Sequence, residues 1–359
     1  MHGVYIHIPF CQSRCRYCDF FSTTQLESRS AYVDTVLKEW QARSSEIDGG
    51  IRTIYIGGGT PSMLDVADIQ RLVAAIATPE TVEITMEANP GDLTLDKLQA
   101  LHDAGVNRLS IGIQTFRNPL LRRIGRRHTA RQARLAVKWA QQAGFNNISI
   151  DLMFGLPRQT LVQWEMDVRA ALRLGVQHIS CYCLSYEQGT PLTKMVEKGE
   201  ITPTSERLQN RMYNFLCKVL KRQGWDHYEV SNFALPGYRS QHNGSYWNHT
   251  PYIGLGAGAH SFDGKVRSWN PCDLKAYMTG IQTNTLQRES ETLTQEQHHI
   301  EQVMLQLRTV EGINESLVSN RMDKVNDYIH RGLLRRQGTQ LIATQEGLNI
   351  LNRIIEDLI

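Results

Sequence analysis

Cys11-Gln-Ser-Arg-Cys15-Arg-Tyr-Cys18 places three thiols in a short loop directly after the apolar stretch Val4-Tyr5-Ile6. Iron–sulfur clusters are held by Cys thiolates and normally take four. Three ligands with no fourth Cys nearby therefore leave one iron open to something that is not protein. The competing reading is structural zinc, which requires a fourth ligand such as His7 to close a tetrahedron.

Outward from this loop, residues 3 to about 185 alternate apolar strands with helical patterns, as in a parallel sheet covered by helices. The predicted strands are Val4–His7, Thr53–Ile56, Glu83–Met86, Arg108–Ile111, Ser149–Met153 and His178–Cys183. Periodic helices lie between them, for example Tyr32 to Trp40 with Val33, Val36, Leu37 and Trp40 on one face. With right-handed crossovers, six such units make an α/β fold of the open, partial (β/α)6 barrel kind, with its sites at the C-terminal ends of the strands. Gly57-Gly58-Gly59-Thr60-Pro61 follows the second strand, where glycines let the backbone approach a ligand. A tight strand-to-helix turn needs the same residues. Cys181 and Cys183 share one face of the sixth strand and read as core or cavity lining.

Beyond Thr190-Pro191 the pattern changes. A helix is predicted from about Glu206 to Arg222, then Tyr228-Glu-Val-Ser231, then an irregular run rich in Gly, Asn and aromatics from Gly237 to Gly264. From Thr294 the chain is mainly helical. Leu333–Arg336, Gly338 and Leu341–Ala343 read as a hairpin before a closing helix to Leu358, a winged-helix-like end. Its basic cluster, Arg331, Arg335 and Arg336, is too small to argue for DNA binding, so a structural or docking role is expected.

Composition sets wide bounds. The chain has 359 residues, enough for about two to three domains. Its 39 Lys plus Arg against 36 Asp plus Glu leave a net charge of +3, which points to neither a nucleic-acid nor an acidic-lipid partner. No apolar run reaches the length of a membrane span, and Met1 leads into the first strand without a signal or transit pattern. The 7 Cys form no disulfide framework. A cytoplasmic protein without membrane insertion is expected.

The loop has the form Cx3CxΦC, with aromatic Tyr17 before the last Cys, and so resembles the radical S-adenosylmethionine (SAM) superfamily. That resemblance implies a [4Fe–4S] cluster on Cys11, Cys15 and Cys18 whose open iron chelates the amino and carboxylate groups of SAM. A sulfonium cation is drawn to a negatively charged cluster in a water-poor site. The glycine run then resembles the turn that holds the SAM amino group.

Further motifs narrow the match. Tyr5-Ile-His-Ile-Pro-Phe-Cys11, Gly57-Gly-Gly-Thr-Pro-Ser62, Glu87-Ala-Asn-Pro90, Ser110-Ile-Gly-Ile-Gln114, Gly125-Arg126 and Asp151-Leu-Met-Phe-Gly-Leu-Pro157 resemble, in order, the coproporphyrinogen III dehydrogenase/HemW family. The resemblance implies that Tyr5, Tyr17, Gly58 and Glu87 line the cluster-bound SAM, and that Gly59, Thr60, Gln114, Arg126 and Asp151 match a second SAM-type pocket. Taken singly, Glu87 and Asp151 also read as loop caps, Gln114 as a strand-end group and Arg126 as part of a solvated helix face.

Two departures separate the branches. The dehydrogenases carry a fourth Cys two residues after the third ligand, where this chain has Phe20, and a long segment before the cluster, where this chain has ten residues. HemW-type heme chaperones lack both and carry a heme-associated His-Asn-x-x-Tyr element, here His242-Asn243-Gly-Ser-Tyr246. His and Tyr are both suitable axial ligands for heme iron. The same five residues also read as a turn with a hydrogen-bonded His, and His249 and His260 are nearby alternatives.

The implied function is binding of heme and its delivery to an acceptor protein, a respiratory cytochrome being the candidate, with a homodimer as the candidate assembly. Oxidative decarboxylation of coproporphyrinogen III is the alternative. The implied division is a radical SAM core at 1–235, an irregular heme-associated connecting segment at 236–290, and a winged-helix-like domain at 291–359. Because His242 lies beyond the sixth strand, in a segment expected to cover the barrel mouth, cluster and heme sites are expected to fail independently.

Overall fold

The computed structural model describes residues 2–359. Six strands, β1 (His2–Ile8), β2 (Ile51–Gly58), β3 (Glu83–Ala88), β4 (Arg108–Gln114), β5 (Ile148–Phe154) and β6 (His178–Cys183), lie parallel and in sequence order. The crossovers are α1 (Arg29–Arg43), α2 (Val66–Ile76), α3 (Leu95–Asp103), α4 (Asn118–Arg123) with α5 (Ala130–Gln142), and α6 (Leu161–Leu172). Capping boxes start two of them. Thr129 and Gln132 close the first turn of α5, and Thr160 and Gln163 that of α6, each pair satisfying two otherwise orphaned backbone donors.

Strict alternation along the six strands builds two different surfaces. Ile6, Ile54, Ile56, Met86, Leu109, Ile111, Ile150 and Ile179 are fully buried and pack with Val33, Leu72, Leu98 and Val137 of the helices in one apolar cluster. The intervening positions are polar: Tyr5 and His7, Thr53 and Tyr55, Thr85 and Glu87, Arg108 and Ser110, Ser149 and Asp151, His178 and Ser180. The helices thus cover an oily outer face, while the concave face is left for chemistry.

The sheet does not close. After α7 (Pro191–Glu197) and α8 (Glu206–Arg222), β7 (Asp226–Glu229) and β8 (Asn232–Ala234) continue it beyond β6, with β8 antiparallel to β6. The run Gly237–Gly264, expected to be irregular, is half regular. It contains α9 (Gln241–Trp247), β9 (Tyr252–Leu255) parallel to β1, and β10 (His260–Phe262). β11 (Val266–Trp269), α10 (Leu274–Thr283) and β12 (Glu289–Thr292) follow, giving a 12-stranded order β12-β11-β10-β9-β1-β2-β3-β4-β5-β6-β8-β7. Strands of three or four residues carry little period-two signal, which is why this edge was not legible.

The C-terminal segment has its own core around Val303, Leu307, Ile313, Val325, Leu341 and Ile354. It comprises α11 (Gln295–Gln306), β13 (Ile313–Asn314), α12 (Met322–His330), the hairpin β14 (Leu334–Gln337) and β15 (Gln340–Ala343), then α13 (Gln345–Leu348) and α14 (Leu351–Leu358). The three strands form a separate sheet in the order β13-β15-β14, as a winged-helix-like end requires. In its basic cluster Arg331 pairs with Asp327 and Arg336 with Glu315. Among the described residues, no helix is long and apolar enough to cross a membrane.

Candidate functional site

The cysteine loop leaves the C-terminal end of β1 and is tied down by backbone hydrogen bonds at both ends. Cys11 N–H donates to Thr23 O at 2.8 Å, and Arg16 N–H donates to Ile124 O at 3.0 Å. Gly125, at φ 77°, allows this second approach, since a Cβ there would lie 3.2 Å from Arg16 N. Tyr17 packs its ring into a small apolar cluster with Leu120, Ile124 and Leu192, which seats the loop from beneath.

All three thiols are free and face one cavity of about 470 Å³ at the C-terminal ends of the strands. Cys11 Sγ is 3.4 Å from the Thr60 hydroxyl, and the Arg126 guanidinium is 3.5 Å from Cys15 Sγ. Burial pushes the Cys18 thiol up to about 11, so its ionisation calls for positive charge beside it. Three thiols with a hydroxyl and a guanidinium close to the sulfurs fit an anionic cluster. His7, the fourth ligand that the zinc reading needs, is committed elsewhere: Nε2 to Phe21 O and Nδ1 to the Tyr5 hydroxyl, both at 2.9 Å.

Below the thiols the wall is acidic. Glu87, at the end of β3, accepts from the Tyr55 hydroxyl at 2.8 Å and from Gly58 N–H at 3.1 Å. Burial nevertheless raises its pKa to about 7, with Asp151 adding to the effect. Asp151 is also raised by burial, and Ser110 donates to it at 3.1 Å. Two desolvated carboxyls in one cavity fit a cationic ligand, such as an ammonium or sulfonium. Gly58 must be glycine here: φ is 109°, and a Cβ would meet the His7 ring at 2.6 Å. Gln114 ends β4 at φ 65°, just after a register shift between Gly112 and Gln114. A non-glycine residue in the left-handed region at a strand end is a feature typical of functional sites.

The cavity wall brings together most of the residues singled out in the sequence. Cys11, Cys15, Cys18 and Tyr17 line it, as do Gly58, Gly59 and Thr60, and also Glu87, Gln114, Arg126, Asp151 and Asn243. Tyr5 stands behind this wall, its ring against Tyr55 at 6.2 Å. Cys183 lines the cavity, whereas Cys181 points the other way into the core under the helices.

His242 and Tyr246 correct the expected arrangement. The helix that carries them, α9, closes the barrel floor at the N-terminal ends of the strands, opposite the cysteine loop. Glu83, at the start of β3, accepts the N–H groups of Gln241 and His242 at 2.9 and 3.0 Å. His242 is fully buried, with Nδ1 on Thr53 Oγ1 at 2.8 Å and Nε2 on the Tyr246 hydroxyl at 2.9 Å. Burial, aided by Arg108, pushes its pKa down to about 3. With both ring nitrogens engaged, His242 does not fit an axial iron ligand in this conformation; the hydrogen-bonded structural His is what the fold displays. Sequence order could not say at which end of the strands a later helix docks. Of the alternatives, His260 stacks on Trp269, while both ring nitrogens of His249 are buried without hydrogen-bond partners among the described residues.

Tyr55, Ser110, Ser180 and Tyr182 also line the cavity and were not singled out. Strand parity would have found them, since each lies an even number of residues from Glu87, Asp151 or Thr53 along its own or a neighbouring register. Arg108, almost fully buried in the lower lumen with Nε unpartnered among the described residues, follows the same parity.

Residues 5–171 match the Radical SAM superfamily. A heme chaperone HemW from Lactococcus lactis is 36% identical, covering 99% of this chain and 96% of the relative. HemW from Bacillus subtilis is 34% identical over 99% and 98% of the two chains, and that from Escherichia coli 38% over 74% and 70%. Among solved structures, the coproporphyrinogen III oxidase HemN from Escherichia coli superposes with a TM-score of 0.84 over 99% of this chain and 89% of its own, at 22% identity, a likeness of fold. The chain therefore belongs to the radical SAM superfamily, in its HemW/HemN-like family.

Proposed function

We propose that this chain is a heme chaperone: it binds heme, holds a SAM-coordinated [4Fe–4S] cluster, and transfers the heme to an acceptor protein. The observation that carries this reading is the likeness, over 99% of the chain, to relatives that are heme chaperones by name. Phe20, 67% exposed at the position where the dehydrogenase branch has its fourth Cys, agrees with it.

Cys11, Cys15 and Cys18 would hold the cluster, with Tyr17, Gly58 and Glu87 around the SAM. When bound, the cluster supplies single electrons to the ligand on its open iron. Thr60 and Arg126 place hydrogen-bond donors on two of the thiolates, lowering the cost of their negative charge. Glu87, with its pKa near 7, ionises readily when a cation lies beside it, and Gly58 N–H orients the carboxylate.

Heme itself is cargo rather than a resident cofactor. Ligation by His242 requires Nε2 to leave the Tyr246 hydroxyl, so heme binding and the seating of α9 are linked. The test is handover: heme-loaded chain mixed with an apo-cytochrome should lose its Soret band as the cytochrome gains one. Absence of any stoichiometric Soret band on heme addition would rule the reading out, and His242→Ala and His249→Ala report which imidazole is used.

A further inference from the structure

Asn243 sits next to His242 in the heme-associated element, yet its side chain faces the cluster cavity rather than the space below α9. It is the residue of α9 that lines that cavity, beside Glu87, Asp151, Ser110 and Ser180. Its backbone N–H is used by Ser240 Oγ at 3.3 Å, whereas its carboxamide makes none of the hydrogen bonds found among the described residues. A primary carboxamide offers two donors and an acceptor. Left toward a half-enclosed polar cavity, it is a reading group without a partner.

Its surroundings keep it there. Glu83 holds the start of α9, His242 locks onto Thr53 and Tyr246, and the His242 ring stacks on Tyr55 at 5.1 Å. These three restraints position Asn243 at the end of the cavity remote from the cysteines. A ligand chelated at the cluster by its amino-acid end would reach toward Asn243 with its other end.

We infer that Asn243 is a SAM-binding residue that reads the nucleoside portion of the cofactor. The inference rests on the SAM reading above. It assigns this residue of the heme-associated element to the cofactor cavity, and with it makes α9 a shared wall between the two functions.

Methionine separates this inference from a structural role, because it can chelate the open iron through the same amino and carboxylate groups but has no nucleoside. Anaerobically reconstituted wild type and Asn243→Ala would be compared for binding of SAM, S-adenosylhomocysteine and methionine by equilibrium dialysis. Alanine is a good helix former, so α9 is retained. The expected result is about tenfold weaker binding of the two nucleosides, the weight of one or two neutral hydrogen bonds, with methionine unchanged. Equal weakening of all three, or no change in any, would overturn the inference. Wild type that binds methionine and SAM equally would overturn it too, whereas wild type that binds neither would overturn the SAM reading itself.

Discussion

His242 lies nearly flat on Tyr55, with ring centroids 5.1 Å apart and planes inclined by 26°, and the Tyr55 hydroxyl donates to Glu87 at 2.8 Å. One tyrosine thus joins the heme-associated helix on the floor to the carboxylate in the cofactor cavity. Loops far apart in sequence were expected to fail separately; the fold instead gives them a common wall. Disturbance of α9 should be felt at Glu87, and the reverse.

Tyr55 separates the two halves of this link. Tyr55→Phe keeps the ring but removes a hydrogen bond to a buried carboxyl, and should cost about 1–3 kcal/mol of stability while raising the Glu87 pKa further. Tyr55→Leu should lose about 0.5–1.5 kcal/mol more through the stack. In urea unfolding, a double-mutant cycle with His242→Ala should show coupling for the Leu variant and little for Phe.

Protonation of His242 opposes folding. Its folded pKa, about 3, lies below the ordinary 6.5, so its neutral form belongs to the native state. The associated stability is complete above pH 6.5 and is lost as pH falls toward 3, because the unfolded chain takes up the proton first. His242→Gln should therefore flatten the acid limb of a plot of unfolding free energy against pH. An unchanged limb would show that His242 is not held neutral.

Gly58→Ala tests the turn after β2. The added Cβ meets the His7 ring at 2.6 Å and must adopt φ 109°. A loss of about 2–4 kcal/mol is expected from strain and overpacking, together with weaker SAM binding. Thermal unfolding and SAM titration on the same variant check both.

Much of this was readable in advance. The six parallel strands appeared at their predicted places because each has apolar residues on the helix-covered face, and the cysteine and glycine motifs and Glu87 fell at strand ends, whereas Asp151 lies in the middle of β5. The position of α9 was not readable, since its seat depends on Glu83 and Thr53, residues distant in sequence whose strands look ordinary. Nor did the edge β9–β12 show itself, being built of strands of only three or four residues, the last of them, Glu289–Thr292, exposed along its length. Parity beginning at Glu87 and Asp151 would have exposed the polar lumen and, with it, Tyr55 and Tyr182.

Cysteine replacement distinguishes cluster from zinc. Cys15→Ala should reduce iron from about four per chain in the reconstituted wild type toward zero. The fold should survive, because the loop is tied by backbone bonds at Cys11 and Arg16 and by the ring of Tyr17. Metal analysis with thermal unfolding checks this; collapse of the fold with loss of a single zinc would point to a structural metal.

The most direct measurement gives one anaerobic, reconstituted sample a choice between the two chemistries of the family. Heme is titrated into one portion while coproporphyrinogen III, SAM and a reductant are supplied to the other, and Soret absorbance and protoporphyrinogen are followed. Saturable heme binding near one per chain and no protoporphyrinogen are expected. Steady production of protoporphyrinogen without saturable heme binding would contradict the heme-chaperone function.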